Sequence, residues 1–264
     1  MKKLTIPIPT FNEYENKLDK SKINYFVLTA DNGFRLIKED FVNSVKESNS
    51  DVALIINPNN PTGTITKKED IIWILKKLAN EIVVVDESFI DFSGDRNAYS
   101  VQSLVEDYTS LVVIRSISKE FGVPGLRLGY LVTTNRGIKE KILEHLPIWN
   151  VNSMAEYFIE NFPKYQDSYD KSIRQVIEDR EEFYDDLKKI KYLEPLSSHA
   201  NFILCKVINR SAQSLTKQLF EDFKILVKDC ANKKPINKDN YLRIAVRTKE
   251  ENKKLLDALV EIDR

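Results

Sequence analysis

The sequence predicts a three-layer α/β fold with a mixed, mostly parallel sheet that carries helices on both faces. Three observations lead to this prediction: short apolar runs suited to buried strands, amphipathic helical patterns between them, and longer helical segments later in the chain. We therefore expect a large domain over residues 1–150. A long helix and a smaller α/β domain are expected over residues 151–264.

The strands of the main sheet are predicted from four runs of aliphatic and β-branched residues. These runs are VALII (52–56), IVVV (82–85), LVVI (111–114) and LGYLVT (128–133). Continuous apolarity over four to six residues is typical of strands that are buried on both faces. The segment KKEDIIWILKKLA (67–79) has an apolar stripe at helical spacing, and Thr66 is its expected N-cap.

The second half of the chain has a different pattern. Apolar residues between Tyr169 and Ile190 recur three or four positions apart, which predicts one long amphipathic helix with a solvated charged face. Three further apolar runs alternate with two helical segments, and they predict the smaller domain. The runs are NFILCKV (201–207), KILVKD (224–229) and YLRIAV (241–246).

Composition excludes several classes of partner. Lysine plus arginine and aspartate plus glutamate number 40 each, so no overall positive charge attracts nucleic acid. Two cysteines and two histidines, all far apart, provide neither a disulfide framework nor a local metal site, and they favour the reducing cytoplasm. No apolar run is long enough to span a bilayer. Nucleic acid and the membrane are therefore not expected as partners.

Polar residues follow three of the predicted strands. The turn-rich segment NPNNPTG (57–63) follows the first, Asp86 follows the second, and RSISK, which ends in Lys119, follows the third. Alone, an aspartate at this position is often a helix cap and a lysine is usually a surface residue. Ligands of parallel sheets bind at the carboxyl ends of the strands, so we expect these side chains to form one site.

Nucleotide-binding loops are not present in the sequence. The seven glycines do not have the spacing of GxxxxGK[ST], which binds phosphates in P-loop proteins. The dinucleotide pattern GxGxxG is also missing. The polar residues at the strand ends therefore favour another class of ligand.

Four motifs occur in a familiar order: NPNNPTG, VVVDESFIDF, SISKEFGVPGLRLGY and YLRIAVRTKEEN. Over nearly its whole length the chain resembles fold-type-I pyridoxal phosphate enzymes of the class I/II aminotransferase family. Within that family it is most similar to histidinol-phosphate aminotransferases and threonine-phosphate decarboxylases. The resemblance implies a pyridoxal 5'-phosphate cofactor, a small phosphorylated substrate and a homodimer.

The resemblance also implies roles for residues that match the family motifs. Lys119 would hold the cofactor aldehyde as a Schiff base and move protons at the substrate α-carbon. Asp86 would pair with the pyridine nitrogen, and Asn60 would donate a hydrogen bond to the phenolic oxygen. Phe11 would stack on the face of the ring.

Two further sets of residues are implied by the resemblance. The cofactor phosphate would be bound by Ser116, Ser118 and Arg127. The substrate would be bound by Asn201, Arg243 and Arg247. Arg243 and Arg247 are expected to share one strand face because alternate side chains of a strand point the same way.

Some positions depart from the aminotransferase pattern. Phe89 stands where many aminotransferases have tyrosine, and Lys228 stands where relatives often have arginine. Phe89, Arg247 and the stretch VKDCANK (227–233) resemble the decarboxylases. Transamination is expected first because it is the broader activity of the family, and decarboxylation of phosphothreonine or phosphoserine is the alternative.

A final departure concerns the region before Phe11. Relatives carry a further N-terminal segment whose loop binds the cofactor phosphate and whose strand lies beside residues 128–133. Loss of its charge-assisted hydrogen bonds is expected to weaken cofactor binding by about a hundredfold or more. Three explanations are expected: a separate chain supplies this segment, the open reading frame is a fragment, or the protein is a degenerate remnant with little or no turnover.

Overall fold

The computed structural model describes residues 3–238 and 240–263. The strands are β1 (Leu4–Ile8), β2 (Ile23–Val27), β3 (Val52–Ile56), β4 (Ile82–Asp86), β5 (Leu111–Ser116), β6 (Gly129–Val132), β7 (Leu193–Pro195), β8 (Phe202–Val207), β9 (Lys228–Asp229) and β10 (Tyr241–Ala245). The α-helices are α1 (Glu13–Asn16), α2 (Lys38–Glu47), α3 (Lys68–Lys77), α4 (Arg96–Tyr99), α5 (Ile117–Glu120), α6 (Arg136–His145), α7 (Ser153–Asn161), α8 (Gln166–Leu187), α9 (Ala212–Phe223) and α10 (Lys249–Ile262).

The main sheet has the strand order β2-β1-β3-β4-β5-β6. Its first five strands are parallel to their neighbours, and β6 pairs antiparallel with β5. The predicted α/β class with a mixed, mostly parallel sheet is therefore confirmed. The sequence patterns missed β1 and β2, because Pro7 interrupts one run and Asn24 the other.

Alternate residues of β3 belong to two different apolar clusters. Ala53 and Ile55 pack with residues of α2 and α3, whereas Leu54 and Ile56 lie on the opposite face of the sheet. Residues of α1 and the segment after it, among them Tyr14, contact this second cluster. Burial on both faces explains why the run is continuously apolar.

The start of α3 differs from the prediction. Asn57 donates a hydrogen bond to the Thr66 carbonyl oxygen (3.0 Å) and accepts one from the Thr66 amide (2.7 Å). These two bonds hold Thr66 against the NPNNPTG loop, so Lys67 occupies the N-cap position instead. The predicted N-cap at Thr66 was wrong. The prediction used only the local pattern, whereas Thr66 is held by a residue nine positions earlier in the chain.

The C-terminal part forms a second, antiparallel sheet with the order β7-β8-β10-β9. The strand predicted over residues 224–229 is shorter than expected, since α9 continues to Phe223 and the left-handed Lys224 (φ 58°) ends it. The six-stranded sheet lies within residues 1–150 and the four-stranded sheet within 151–264. The domain boundary itself stays a prediction.

The long helix α8 has a polar face that is only partly solvated. Arg180 is buried and donates to the carbonyl oxygens of Phe92 (2.6 Å) and Ala200 (3.3 Å). This side chain joins α8 to the loop after β4 and to the loop before β8. The predicted solvated face was wrong at Arg180, because its partners are 88 and 20 residues away in the chain.

Substitution of Arg180 by methionine should destabilise the fold by about 2–3 kcal/mol, because two carbonyl groups would lose a charged donor. Arg174→Met is the matched control, since Arg174 is exposed on the same helix and should change stability by about 0.5 kcal/mol or less. Chemical denaturation of both variants measures the difference. Equal effects of the two substitutions would contradict this role of Arg180.

Candidate active site

The carboxyl ends of β3, β4 and β5 open into a cavity of about 520 Å³, which we call the central cavity. All site residues predicted from the sequence line it except one, Arg247. The predicted residues in its wall are Phe11, Asn60, Asp86, Ser116, Ser118, Lys119, Arg127, Asn201 and Arg243. The structure therefore brings together side chains from both sheets.

Asp86 is the last residue of β4, and both of its carboxylate oxygens accept hydrogen bonds. Oδ1 accepts from the amide (2.9 Å) and the hydroxyl (2.5 Å) of Ser88, and Oδ2 accepts from the Tyr14 hydroxyl (2.6 Å). Each carboxylate oxygen has two acceptor sites. Oδ2 therefore keeps the capacity to accept one more hydrogen bond from a ligand.

Tyr14 is a site residue that the sequence analysis missed. Burial and the adjacent Asp86 carboxylate raise the pKa of Tyr14 above its usual value, so its hydroxyl keeps the proton that it donates. Tyr14 and Asp86 are 72 residues apart, and their contact depends on the packing of α1 against the sheet. The segment PTFNEY (9–14) was the available signal, but the resemblance assigned a role only to Phe11.

Lys119 lies in the four-residue helix α5, directly after β5. Its side chain is exposed and has no hydrogen-bond or ion-pair partner within residues 3–238 and 240–263. Its neighbours in the chain are fixed, because buried Arg115 donates to the carboxylates of Glu120 (2.6 Å) and Asp91 (2.8 Å). The amine of Lys119 is therefore free to react while the backbone around it is held.

The residues predicted to bind phosphate lie on one wall of the central cavity. Ser116 is tied through its amide to the Ser88 hydroxyl (3.1 Å), and Ser118 is buried. Arg127 has a left-handed backbone (φ 53°) and donates to the Pro124 carbonyl oxygen (3.3 Å). That backbone conformation costs a residue with a side chain about 1–2 kcal/mol, and such strain is concentrated at functional sites.

Arg243 reaches from β10 across to the main sheet. Its Nη1 donates to Oδ1 of Asn60 (2.8 Å), and its guanidinium lies 4.9 Å from the centre of the Phe202 ring. Burial lowers the pKa of Arg243 from its usual value. The contact leaves Nδ2 of Asn60 available as a donor, and it places a half-buried cation at the wall of the cavity.

Arg247 does not join this site. The strand β10 ends at Ala245, and the Arg247 side chain is exposed, where Nη2 donates to Glu251 (3.1 Å). The expectation that Arg243 and Arg247 share a strand face required β10 to continue to residue 247. Because the chain instead turns into α10, we exclude Arg247 from the candidate site.

Lys233 is a second residue that the sequence analysis did not assign. It is buried in the wall of the central cavity, and its Nζ donates to the Thr10 carbonyl oxygen (2.7 Å) and to Oδ1 of Asn12 (2.6 Å). Burial lowers the pKa of Lys233 to about 8, and the positive charges of Arg243 and Lys228 act in the same direction. No local pattern marked this lysine, because its acceptors are more than 220 residues away.

A larger groove of about 710 Å³ adjoins the site on the other side of Lys119. Seven of the residues that line it are aromatic, among them Phe121, Phe158 and Tyr169. Asp86 does not line this groove, and neither does Arg243. The acid, the amine and the half-buried cation all line the central cavity, so that cavity is the candidate active site.

The fold and this arrangement of side chains are similar to those of fold-type-I pyridoxal phosphate proteins. Residues 2–259 match the family described as "Aminotransferase class I and II", and the chain belongs to that family. It is 32% identical over 270 residues to the L-serine phosphate decarboxylase of Campylobacter jejuni, covering 99% of this chain and 68% of that protein. The solved histidinol-phosphate aminotransferase of Clostridium acetobutylicum has a TM-score of 0.92 and 31% identity, covering 99% of this chain and 78% of the other.

Another relative is much longer than this chain. The CMP-5'-(3-aminopropyl)phosphonate synthase of Streptomyces rubellomurinus is 33% identical over 264 residues, which cover 98% of this chain and 41% of that protein. The chain therefore spans between 41% and 68% of the length of these two curated relatives.

The family depends on pyridoxal phosphate, and the side chains of the central cavity fit that cofactor. Asp86 offers an acceptor for the pyridine nitrogen, and Lys119 offers an amine that has no competing partner among the described residues. Arg127 and Ser118 offer donors for a phosphate group. The cavity volume of about 520 Å³ lies in the range usual for cofactor sites.

The lowered pKa of Lys233 predicts a pH dependence of stability. Between about pH 8 and pH 10.5 the folded state has lost this proton while the unfolded state still binds it, so the contribution of Lys233 to stability rises with pH. The unfolding free energy of the wild type should therefore increase relative to that of Lys233→Met across this window. Chemical denaturation at several pH values measures this, and Lys238→Met, an exposed lysine nearby, should follow the wild type. Parallel pH profiles for wild type and Lys233→Met would contradict the prediction.

Proposed function

We propose that this chain is a pyridoxal-phosphate-dependent enzyme that acts on a small phosphorylated amino acid or amine, and that its reaction is transamination. The observation that carries the proposal is the convergence of Asp86 and Lys119 on the central cavity. Asp86 ends β4, Lys119 follows the adjacent parallel strand β5, and Arg243 from the second sheet lines the same space.

Asp86 and Lys119 have distinct parts in this proposal. When bound, pyridoxal phosphate supplies a ring that accepts the electron pair left on the substrate α-carbon as a bond breaks. Asp86, held by Tyr14 and Ser88, would offer an acceptor to the pyridine nitrogen. Lys119 would bind the cofactor aldehyde, and its amine, once the substrate amine has displaced it, would carry the proton to and from the α-carbon.

The remaining residues of the candidate site are proposed to bind and orient the cofactor and the substrate. Arg127, Ser116 and Ser118 would hold the cofactor phosphate, and Asn60 would donate from Nδ2 to the phenolic oxygen. Phe11, whose side chain is 45% exposed, would pack against the face of the ring. On the substrate side, Arg243 and Lys228 offer positive charge to a carboxylate or phosphate, and Asn201 lines the same space.

Decarboxylation is the second candidate, and Phe89 favours it. Phe89 is buried in the cavity wall and packs edge-to-face on Phe202 at 5.2 Å between ring centres. It supplies no hydroxyl at a position where many aminotransferases have tyrosine. The similarity to an L-serine phosphate decarboxylase supports the same reaction.

A homodimer in the cytoplasm belongs to this proposal. Exposed apolar side chains are concentrated between residues 143 and 165, where Ile148 is 91% and Trp149 90% exposed, and such a surface favours a subunit interface. A separate chain that completes the phosphate site is the alternative partner.

Within residues 3–238 and 240–263, no helix is both long and apolar enough to cross a membrane.

Cofactor binding tests the proposal directly. Purified protein mixed with pyridoxal phosphate should develop a visible absorbance band, and borohydride reduction should leave the cofactor on Lys119, as located by mass spectrometry. Lys119→Ala should abolish both signals. Asp86→Asn should weaken binding about ten- to a hundredfold, because it removes one charge-assisted contact.

Lys141→Ala is the matched control for this experiment, since Lys141 is an exposed lysine on α6 outside the central cavity. It should bind the cofactor as the wild type does. A wild-type protein without any band would support the remnant hypothesis, and labelling of a lysine other than Lys119 would contradict the assigned role.

The products distinguish the two reactions. Loaded protein is incubated with phosphothreonine, phosphoserine and histidinol phosphate in separate assays. Transamination should yield a keto product together with aminated cofactor, whereas release of carbon dioxide would establish decarboxylation instead. Arg243→Met should raise KM at least about tenfold for the accepted substrate, because it removes a charged donor.

A further inference from the structure

The loop of residues 9–14 carries Phe11 and is tied to the rest of the molecule by side chains from three distant segments. Asn59 donates to the Pro9 carbonyl oxygen (3.1 Å), and the Tyr14 hydroxyl donates to Asp86 (2.6 Å). Lys233 provides the third tie, with two hydrogen bonds. The position of the loop is therefore fixed by contacts with residues that are distant in the chain.

The two hydrogen bonds of Lys233 go to the residues directly before and after Phe11. One goes to the carbonyl oxygen of Thr10 and the other to the side chain of Asn12, at 2.7 and 2.6 Å. The ammonium nitrogen lies 6.0 Å from the centre of the Phe11 ring, close enough to attract the face of the ring. One side chain thus constrains the residues before and after Phe11 as well as the ring itself.

The contact of Lys233 joins two distant parts of the chain. Lys233 follows β9 and belongs to the C-terminal part of the chain, whereas Thr10 and Asn12 follow β1 of the main sheet. Removing an ammonium group from water is unfavourable unless its donors are satisfied, and two of its three donors are used here. An apolar side chain would fill the same space without that cost.

We propose that Lys233 is a positioning residue that holds Phe11 at the wall of the central cavity and so couples the C-terminal sheet to the cofactor site. The inference rests on the proposed function, because Phe11 matters as the residue that packs on the cofactor ring. Lys233 lines the same cavity, and both of its hydrogen bonds go to the loop that carries Phe11. It acts through the backbone of Thr10 and the side chain of Asn12.

The first experiment uses cofactor-free protein and hydrogen exchange. The amides of Tyr14, Glu15 and Asn16 bond to the carbonyl oxygens of Phe11 and Asn12, so exchange of a peptide covering residues 10–16 reports the order of the loop. Lys233→Met should accelerate its exchange about tenfold while peptides of β4 and β5 stay unchanged. Asn12→Ala, which removes one of the two bonds and leaves the lysine in place, should give a smaller acceleration.

Lys238→Met is the control and should leave the loop unchanged. Unaltered exchange of residues 10–16 in Lys233→Met would overturn the proposal. Faster exchange throughout both sheets would overturn it as well, since it would show a general stabilising role. Asn12→Ala keeps the test decisive even if Lys233→Met does not fold, because unchanged loop exchange in that variant would also count against the inference.

The second experiment adds pyridoxal phosphate. Lys233→Met should bind it about tenfold more weakly and should alter the circular dichroism of the bound cofactor, which reports the surroundings of the ring. Weaker binding of inorganic phosphate by Lys233→Met, with loop exchange unchanged, would make Lys233 an anion-binding residue and would overturn the positioning role. If the wild type binds no cofactor the proposed function fails, and hydrogen exchange alone still decides whether Lys233 holds Phe11.

Discussion

Parallel pairing of three strands is the constraint on which the candidate site depends. In the observed register Ile56 of β3 lies beside Asp86 of β4, which in turn lies beside Ile114 of β5. Because the strands run in the same direction, whatever follows each of them emerges at one edge of the sheet. The amide-rich loop, the carboxylate and Lys119 therefore meet, although about 60 residues of chain separate the first from the last.

The second constraint is the contact between the two sheets, which involves buried and half-buried cations as well as apolar packing. Arg243 bonds to Asn60, and Arg180 bonds to carbonyl oxygens on either side of the junction. Lys233 makes a contact of the same kind, because it donates a hydrogen bond to the loop that carries Phe11. A buried cation is stable only with well-placed acceptors, so these contacts fix the relative position of the segments more closely than apolar contacts alone would.

Local sequence patterns predicted the strands and helices well where the apolar residues of a continuous segment alone indicate which positions are buried. The runs at β3, β4 and β5 are apolar because both faces of the strands are covered, and the three or four residue spacing within α8 reflects its packing face. Predictions failed where an end of an element is decided by a distant partner. The side chain of Asn57 displaces the N-cap of α3, and the turn after Ala245 takes Arg247 away from the cavity.

The sequence by itself determined the class of fold, the strand ends that bear Asp86 and Lys119, and the family. These features follow from short-range periodicity and from motifs that are contiguous in the chain. Only the tertiary structure decided that Tyr14 contacts Asp86, that Arg243 contacts Asn60, and that Lys233 encloses Phe11 with its two bonds. Such pairs join residues 72 to 223 positions apart, and a hydrogen bond between them depends on chain packing, which no local pattern encodes.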